Sequence, residues 1–600
     1  MQQVKGKTYY QAGRHSDLRS LLSFCTKQYG DRPAFRYHSY PDGKEISRSF
    51  HDFSRDIEFF GTGLLQIGLN QKHIGIIGRN CYEWAVSHQA IVNGLGVSVP
   101  LDRQLPTSEV LNLCRRGHVK ALIYHQQHQQ IAEELARMDY PIELFICMQD
   151  LGNMTKEMKI DSRFTSFEQI RQLGSSAISD GDTRYRLLEI DPEKTHALIF
   201  RSGTGDAVKG VMLNHRCITH NIYAVQGTLY VPPGTRVLSV LPLHHAFENT
   251  VGMYIINALG GCICFSDGLR KFKENLEQWQ IEVMLGVPLI FDTSYRQVMK
   301  KLNRQKKMKH FKLALAISRL LRIAGIDLRR KLFRQILAGF GGHLKLCICG
   351  AAAIDKEVVR FFNDIGIEFY CGYGLTETSP VISVCHKKAN VYGSVGPPIS
   401  DVEVAIDTTS DLQGAEGEIL TRSESVMPGY YEDQAATAAA IRKDGWFRTG
   451  DLGYIGEKDC IFITGRIKSM IVLQNGKKAF PEELEALLNQ LTEVRESFVW
   501  GQQQADGSVD ICARLVPDPG AASSERLRHE AQRAQWIQDE IKKINQNLPP
   551  YKEIRYIVFS DQPLHRLEDH TLDRYQEQKA VNQLLEESKQ QIRSLHGKWL

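Results

Sequence analysis

Short apolar runs alternate with longer amphipathic stretches through most of the 600 residues of the chain. The apolar run at 73–78 is followed by a helical pattern that begins at Tyr82, and then by a second apolar run at 96–100. This alternation is typical of parallel α/β architecture, in which buried strands are joined by amphipathic helices. Seven further apolar runs continue the rhythm, at 121–124, 142–147, 197–200, 236–241, 262–265, 283–286 and 344–349. The pattern predicts an α/β fold with a large doubly wound region of two sheets, which ends near residue 390.

The pattern changes after residue 390. Between 391 and 465, glycine and proline separate short strand-like runs, which favours a small β-rich subdomain. Beyond Arg466, helical and strand-like patterns alternate again, at 482–491, 508–516, 525–547 and 554–559. We therefore predict an N-terminal domain over 1–465, of which 391–465 is the β-rich part, and a small αβ domain over 466–600.

The composition is that of an ordinary globular protein, with 24% charged and 42% hydrophobic residues. The net charge of +5 is small for this length, and zinc-finger spacings and basic regions with heptads are absent, so no nucleic-acid partner is predicted. The N-terminus lacks an apolar signal-peptide core, and the most hydrophobic stretch, 251–265, is short and broken by glycines. We expect a cytoplasmic protein, soluble or peripheral at the inner membrane surface.

The thirteen cysteines are scattered along the chain. Two C-x-C pairs, Cys262 with Cys264 and Cys347 with Cys349, lie inside apolar runs that contain no further metal ligands. Buried thiols in a reducing compartment explain this distribution better than disulfides or a metal site.

One stretch, 296–334, carries a marked positive charge. It contains fourteen lysines and arginines against a single acid, Asp327, and apolar residues interleave with the cations between Phe311 and Ile323. Such a basic amphipathic stretch could rest on an anionic membrane surface. A solvated helical face on a large protein is the alternative.

The segment 202–210 reads Ser-Gly-Thr-Gly-Asp-Ala-Val-Lys-Gly and has the composition of a phosphate-binding loop. Gly203 allows backbone N–H groups to approach an anion, the hydroxyls of Ser202 and Thr204 add donors, and Lys209 adds a cation. The lysine is flanked by valine and glycine, which excludes a Walker loop. A glycine-rich surface turn remains the alternative.

A second candidate lies in the segment 370–380. Tyr373 could stack on a base, Gly374 supplies a turn, Thr376 could bond a phosphate, and Glu377 could hold a hard cation such as Mg²⁺ through oxygen. A polar turn after a strand would explain the glycines but not the whole combination.

Two further segments carry charged residues near the predicted domain boundary. Asp451 ends a strand-like run and could accept both hydroxyls of a ribose, although a surface turn would also explain it. Arg466 and Lys468 stand where the small domain begins, a suitable place for a charged hinge.

In this order and spacing, these segments resemble the adenylate-forming superfamily of acyl-CoA synthetases, nonribosomal adenylation domains and luciferases. Within it the chain looks closest to bacterial long-chain fatty-acid–CoA ligases, in the segments 241–247, 284–291, 349–354 and 475–485. The resemblance implies a large N-terminal domain of two doubly wound halves and a β-barrel, followed by a mobile small domain.

The resemblance also implies a two-step reaction. A carboxylate, here a medium- to long-chain fatty acid, attacks the α-phosphate of ATP and gives an acyl-adenylate and pyrophosphate. Coenzyme A then displaces AMP after the small domain has rotated. ATP, Mg²⁺ and coenzyme A are therefore the expected cofactors and co-substrates. Delivery to an acyl carrier protein is an alternative, because its thiol arm is the same as that of coenzyme A.

Residue by residue, the resemblance assigns roles to the matching positions. The phosphate loop would contain Ser202, Gly203, Thr204 and Lys209, and the adenine would be framed by Gly350, Ala351, Tyr373 and Gly374. Thr376 would contact the α-phosphate, Glu377 would hold magnesium, and the ribose would be bound by Asp451 and Arg466. Lys468 would be the hinge, the thioester stage would use Gly476 and Lys477, and His245 would lie beside the acyl carboxylate. For a lone histidine such as His245, a packed core position would be the default; within this set the active site is favoured.

Two departures from the family pattern leave the catalytic rate open. The phosphate loop has Asp206 where the family has glycine, and a carboxylate there repels a triphosphate unless a cation such as Arg201 compensates. Thr571 stands where the family has a C-terminal lysine, and lysine is absent between Lys552 and Lys579. Three nearby side chains could take its place: His565, Arg566 and His570. A catalytically impaired acyl- or nucleotide-binding relative is therefore a further alternative.

Overall fold

The computed structural model describes residues 2–39, 42–138, 140–149, 161–201, 208–408, 416–474, 477–504, 507–518, 530–566, 571–588 and 590–599. Its β-strands are, in chain order, β1 (Gln2–Lys5), β2 (Pro33–His38), β3 (Glu45–Ser49), β4 (His73–Ile77), β5 (Val97–Leu101), β6 (Val119–Tyr124), β7 (Leu144–Cys147), β8 (Phe164–Ser166), β9 (Thr195–Arg201), β10 (Lys209–Asn214), β11 (Arg236–Ser239), β12 (Cys262–Phe265), β13 (Val283–Gly286), β14 (Leu346–Cys349), β15 (Glu368–Gly374), β16 (Val381–Val384), β17 (Glu403–Asp407), β18 (Gly417–Arg422), β19 (Gly429–Tyr430), β20 (Phe447–Ile455), β21 (Ile461–Arg466), β22 (Ile471–Val472), β23 (Lys478–Ala479), β24 (Val494–Gln503), β25 (Val509–Pro517) and β26 (Ile554–Phe559).

The α-helices are α1 (Leu18–Tyr29), α2 (Phe50–Gln66), α3 (Tyr82–Ala90), α4 (Thr107–Arg116), α5 (Gln129–Arg137), α6 (Phe167–Ser179), α7 (His215–Thr228), α8 (Ile256–Ala258), α9 (Phe272–Gln278), α10 (Pro288–Arg304), α11 (Met308–Ile323), α12 (Arg329–Leu332), α13 (Arg334–Leu337), α14 (Lys356–Ile365), α15 (Gln434–Ala440), α16 (Pro481–Leu488), α17 (Glu530–Gln546), α18 (Arg574–Ser588) and α19 (Ile592–Leu595). A π-helical segment, Phe247–Ile255, leads directly into α8.

Two eight-stranded sheets form most of the molecule. The first has the order β19-β10-β9-β5-β4-β6-β7-β8, and the second has the order β16-β15-β14-β13-β11-β12-β2-β3. The central strands of both sheets run parallel, and antiparallel strands are added at the edges. A three-stranded sheet of β24, β25 and β26 lies in the C-terminal part. The predicted α/β fold, with a large N-terminal domain of sheets and a smaller C-terminal domain, is confirmed.

A five-stranded antiparallel sheet, β1-β17-β18-β20-β21, contains most of the region predicted to be β-rich. Its edge strand β1 comes from the N-terminus and pairs with β17, so that Gln2 lies opposite Ile406. The short strand β19 joins the first large sheet instead. This sheet thus combines the N-terminal residues of the chain with strands from 403–466, which the pattern did not predict.

Helix α14 shows how local sequence positions the loop before it. Asp355 caps the N-terminus by accepting a hydrogen bond from the backbone N–H of Glu357, and Gly366 ends the helix with a φ of 91°. The apolar face, which includes Val359 and Phe362, is buried in a core shared with α10 and β14. The loop 350–354 is consequently held between a buried strand and a capped helix.

The buried character of the cysteines agrees with the prediction. All thirteen are free thiols, and twelve of them are buried, whereas Cys371 is partly buried. Among the described residues, no helix has both the length and the apolar character needed to span a membrane.

Candidate active site

Asp451 and Arg466 lie opposite each other in the antiparallel pair β20 and β21. Arg466 Nε donates a hydrogen bond to Asp451 Oδ1 at 2.9 Å, and the buried carboxylate raises the pKa of the guanidinium. The hydroxyl of Tyr373, near the end of β15, donates to Asp451 Oδ2 at 2.7 Å. Three residues that the sequence singled out separately therefore form one cluster. A carboxylate can accept about four hydrogen bonds, so this one retains capacity for ligand hydroxyls.

The loop that begins at Gly350 lies at the same sheet edge as Tyr373. Strands β14 and β15 are parallel neighbours, with Cys349 opposite Cys371. Ala351 is exposed and adopts a φ of 71°, in the left-handed region. At Gly374, an added Cβ would lie 1.9 Å from the carbonyl oxygen of Pro380, so only glycine fits. Carboxyl ends of parallel strands are where α/β proteins bind ligands.

Glu377 lies in a 3-10 turn, Thr376–Thr378, directly after β15. Its side chain is only 3% exposed, and Arg201 Nη1 donates to both of its oxygens, to Oε1 at 2.7 Å and Oε2 at 2.8 Å. The hydroxyl of Tyr430 donates to Oε1 at 2.9 Å. Thr376, half-buried, begins the same turn. The sequence identified Glu377 but neither Arg201 nor Tyr430 as its partner.

A carboxylate has the right chemistry for magnesium, which prefers oxygen ligands. The carboxylate of Glu377, however, already receives a guanidinium and a phenol hydroxyl. A dication at these oxygens would have to displace Arg201 or lie beside its positive charge. The arrangement therefore does not fit a magnesium ion at Glu377 as it stands, and that role remains a prediction from the resemblance.

Lys209 opens β10 and pairs across the sheet with Arg201, the last residue of β9. Its Nζ lies 4.5 Å from the centre of the Tyr430 ring, a cation–π contact. The cations Arg201 and Lys209 thus lie where β9 ends and β10 begins, and Arg201 contacts the buried acid Glu377. Ser202, Gly203, Thr204 and Asp206, which belong to the loop between β9 and β10, lie outside the described residues.

His245 lies in the turn between β11 and the π-helical segment, with its ring centre 4.3 Å from that of His244. Asn80 fixes this turn: its Nδ2 donates to the carbonyl of Leu241 at 2.6 Å, and its Oδ1 accepts from the N–H of Leu243 at 3.0 Å. Sequence reasoning missed Asn80, although its place just after β4, at the carboxyl end of a central strand, is the signal that could have found it.

Glu248 follows closely on the same π-helical segment. It is buried, and burial raises the pKa of its carboxyl group to about 8. Because this value lies above neutral pH, the side chain is mainly protonated there and can act as a hydrogen-bond donor.

Two of the three residues assigned to the small-domain side of the site are described, Lys468 and Lys477. Lys468 is exposed in a 3-10 turn, Ile467–Ser469, directly after β21. Lys477 Nζ lies 4.7 Å from the ring centre of Tyr551. Gly476 lies outside the described residues.

Two of the three side chains considered as substitutes for the C-terminal lysine, His565 and Arg566, lie close to carboxylates of the small domain. His565 Nδ1 lies 2.6 Å from Glu577 Oε1, and Arg566 Nη2 lies 3.6 Å from Glu496 Oε2. His570 lies outside the described residues. Neither of the two described side chains is therefore free to bind a nucleotide without breaking such a pair.

One other group of side chains has the geometry of a metal site: His220, Asp401 and Glu424. Arg14 binds both carboxylates, Asp401 at 2.8 Å and Glu424 at 3.2 Å, and Lys5 binds Asp401 at 2.9 Å. Because these cations already neutralise the acids, the group does not indicate a metal ion.

Polar side chains near the carboxyl ends of β9 and β15, together with the pair Asp451 and Arg466 on the five-stranded sheet, are typical of a ligand-binding α/β protein. Residues 23–431 match the sequence profile of the AMP-binding enzymes, and residues 468–590 match that of the C-terminal domain of the same enzymes. The chain therefore belongs to the AMP-binding enzyme family, and with it to the adenylate-forming superfamily.

Relatives and solved structures agree with this assignment. A chloroplastic long-chain-fatty-acid–[acyl-carrier-protein] ligase of Arabidopsis thaliana is 27% identical over 80% of this chain and 74% of its own. Long-chain-fatty-acid–CoA ligase 5 of Rattus norvegicus is 27% identical over 79% of this chain and 72% of its own. The fold matches that of the anthranilate–CoA ligase AuaEII, solved with anthranoyl-AMP, with a TM-score of 0.71 and 18% identity over 94% of this chain and 97% of the other.

Proposed function

We propose that the protein is an ATP-dependent, AMP-forming acyl-CoA ligase that activates medium- to long-chain fatty acids. The observation that carries the proposal is the cluster of Tyr373, Asp451 and Arg466, in which one buried carboxylate is held by two donors; Glu377 lies in the turn directly after the strand of Tyr373. This is the constellation expected for a ribose and phosphate site, and it lies in a chain of the AMP-binding enzyme family.

In this proposal, the fatty-acid carboxylate attacks the α-phosphorus of ATP, and the bond to pyrophosphate breaks. The thiolate of coenzyme A then attacks the acyl carbon of this mixed anhydride, the bond between that carbon and the phosphate oxygen breaks, and AMP leaves with its electron pair. Asp451 orients the ribose, and Lys209 and Arg201 supply positive charge where negative charge accumulates. His245, fixed by Asn80 in its turn, faces the acyl carboxylate.

Transfer to the thiol of an acyl carrier protein is the second candidate. The printed names of the two relatives differ in this respect, since one is a ligase for an acyl carrier protein and the other for coenzyme A. Both acceptors present the same phosphopantetheine arm, so the chemistry of the site does not separate them.

A pyrophosphate-release assay with fatty acids of increasing chain length, with and without coenzyme A, tests the proposal. We expect release with medium- or long-chain acids, and thioester formation when coenzyme A is added. Release without thioester, restored by an acyl carrier protein, would favour the second candidate. Absence of both release and ATP binding would identify a catalytically impaired relative and contradict the proposal.

We further propose that this cytoplasmic enzyme rests on an anionic membrane surface through helix α11. Leu313, Ile317 and Leu320 follow one another at helical spacing and are exposed, on the face opposite the buried Phe311 and Ser318. A merely solvated face would carry polar residues there. Apolar residues directed away from the protein instead fit insertion into a lipid interface.

The charges around α11 fit the same surface. Of the fourteen cations in 296–334, Arg296, Arg319, Arg329 and Arg330 are held by carboxylates or backbone carbonyls. The others make no ion pair with a described residue: Lys300, Lys301, Arg304, Lys306, Lys307, Lys309, Lys312, Arg322, Lys331 and Arg334. Each unpaired cation near an anionic surface contributes about 1 kcal/mol of attraction.

Vesicle sedimentation tests this contact. We expect the protein to bind vesicles containing phosphatidylglycerol, to bind phosphatidylcholine vesicles much less, and to dissociate as salt rises. The double variant Leu320→Glu/Ile323→Glu should lose about tenfold or more in vesicle affinity, because charges replace the inserted side chains. Leu187→Glu is the matched control, since Leu187 is 74% exposed and Ile323 86% exposed. Equal binding by the double variant and the control would contradict the contact.

A further inference from the structure

Arg201 is placed where the strand β9 ends, next to the glycine-rich loop, and reaches across to the turn that follows β15. Its Nη1 donates to Glu377 Oε1 at 2.7 Å and to Oε2 at 2.8 Å. The partners are 176 residues apart in sequence, so the two strands must be in place before the pair can form. Because Glu377 is only 3% exposed, its negative charge needs a partner within the protein.

We propose that Arg201 takes the place of a magnesium ion at Glu377, so that the protein carries its own cation at this carboxylate. The inference rests on the proposed function, because it concerns how the same site receives ATP. Magnesium requires oxygen ligands at about 2.0–2.1 Å in a near-octahedral arrangement. With Arg201 on both oxygens and the Tyr430 hydroxyl on Oε1, that approach is blocked unless the ion pair breaks.

A magnesium ion that displaced Arg201 would meet a second obstacle. The displaced guanidinium would remain close to the dication, and like charges at such distances repel. Arg201 cannot release its charge by losing a proton, since an arginine stays protonated in proteins. The pair with Glu377 is therefore the more favourable state of this carboxylate.

Arg201 also retains donors for a ligand. Its Nε and Nη2 form no hydrogen bond with any residue that the structure describes, and its side chain is 32% exposed. A guanidinium can bind two phosphate oxygens at once through such neighbouring N–H groups. Lys209, whose Nζ lies over the Tyr430 ring, adds positive charge on the same side. Together these groups can meet the phosphates of a nucleotide at Glu377 without a bridging metal ion.

The test compares the affinity for α,β-methylene ATP in EDTA and in saturating magnesium, by calorimetry. We expect the affinity of the unaltered protein to change by less than about threefold between the two conditions. Arg201→Thr should bind about tenfold more weakly in EDTA, because Glu377 is then unpaired, and should recover in magnesium. Arg201→Lys keeps the charge but lacks the neighbouring N–H groups, so its affinity should be lower than that of the unaltered protein while remaining nearly independent of magnesium.

Manganese, counted by electron paramagnetic resonance in the presence of the same analogue, gives a readout that does not depend on activity. Arg201→Thr should gain a protein-bound manganese ion that the unaltered protein lacks. Arg216→Thr is the matched control, because Arg216 binds both oxygens of Glu193 at 2.8 and 3.0 Å and is 33% exposed, outside the site. Thermal unfolding confirms that each variant is folded.

The outcomes separate this inference from the proposed function. Strong magnesium dependence in the unaltered protein, equal to that of Arg201→Thr, would overturn the inference and leave the ligase proposal standing. Failure of every protein to bind the nucleotide, with or without metal, would overturn both.

Discussion

Replacement of Asp451 by alanine is expected to weaken nucleotide binding by about two orders of magnitude, because about 3 kcal/mol of charge-assisted hydrogen bonding is lost. The carboxylate accepts hydrogen bonds from both Arg466 Nε and the Tyr373 hydroxyl. Without it, two donors lose their orientation, and the acceptors for the ribose hydroxyls disappear. Isothermal titration with ATP measures the effect.

Two further variants make this result specific. Asp451→Asn keeps one oxygen acceptor and should lose less affinity than the alanine variant. Asp364→Ala removes another largely buried acid, bound by Arg319 Nη2 at 2.5 Å on α14, and should bind ATP normally. An Asp451→Ala protein that is folded and binds ATP within threefold of the unaltered chain would show that this carboxylate does not hold the nucleotide.

The second large effect concerns the small domain. Glu577 and Arg514 are both buried and are joined at 2.6 Å, and His565 also bonds to Glu577 through its backbone N–H and its ring. Glu577→Ala should destabilise this domain by about 3–5 kcal/mol, because the buried Arg514 loses its opposite charge and keeps hydrogen bonds to the neutral groups of Ser560 and Gln562. Urea denaturation followed by intrinsic tryptophan fluorescence, to which Trp500 in the neighbouring core contributes, measures the loss.

Removal of both charges should behave differently. Arg514→Met/Glu577→Met should retain most of the stability, since well-packed apolar side chains often replace a buried ion pair without loss. Glu540→Ala, which removes an exposed pair with Lys543, should change the free energy of unfolding by less than about 1 kcal/mol. If Glu577→Ala were no more destabilising than Glu540→Ala, the buried pair would have no structural importance.

The sequence predicted the central strands well, because buried parallel strands read as continuous apolar runs. The runs 262–265 and 283–286 coincide with β12 and β13, and 554–559 coincides with β26. The strand β1, by contrast, has the sequence Gln-Gln-Val-Lys and is mostly exposed at a sheet edge. Its pairing depends on residues some 400 positions away, so no local sequence pattern predicts this strand.

In the candidate site, too, the residues could be predicted from the sequence but their contacts could not. Asp451 and Arg466 could be named from the sequence, but their contact depends on the register of β20 and β21, which shifts at a bulge between Leu452 and Gly453. A one-residue change of register would turn one side chain to the other face of the sheet. Arg201 was expected to offset Asp206, which lies outside the described residues; the structure pairs Arg201 with Glu377, through a contact that only the assembled sheets create.

The positions of the buried thiols allow the opening of each domain to be followed by the rate of cysteine alkylation. Cys512 is the only cysteine after residue 465, and the other twelve precede it. It lies in β25 with no exposed surface, so an alkylating reagent can reach it only when the small domain opens. The rate at which this one thiol is modified therefore reports the opening of the small domain alone, and the remaining thiols report the rest of the molecule, without any label being introduced.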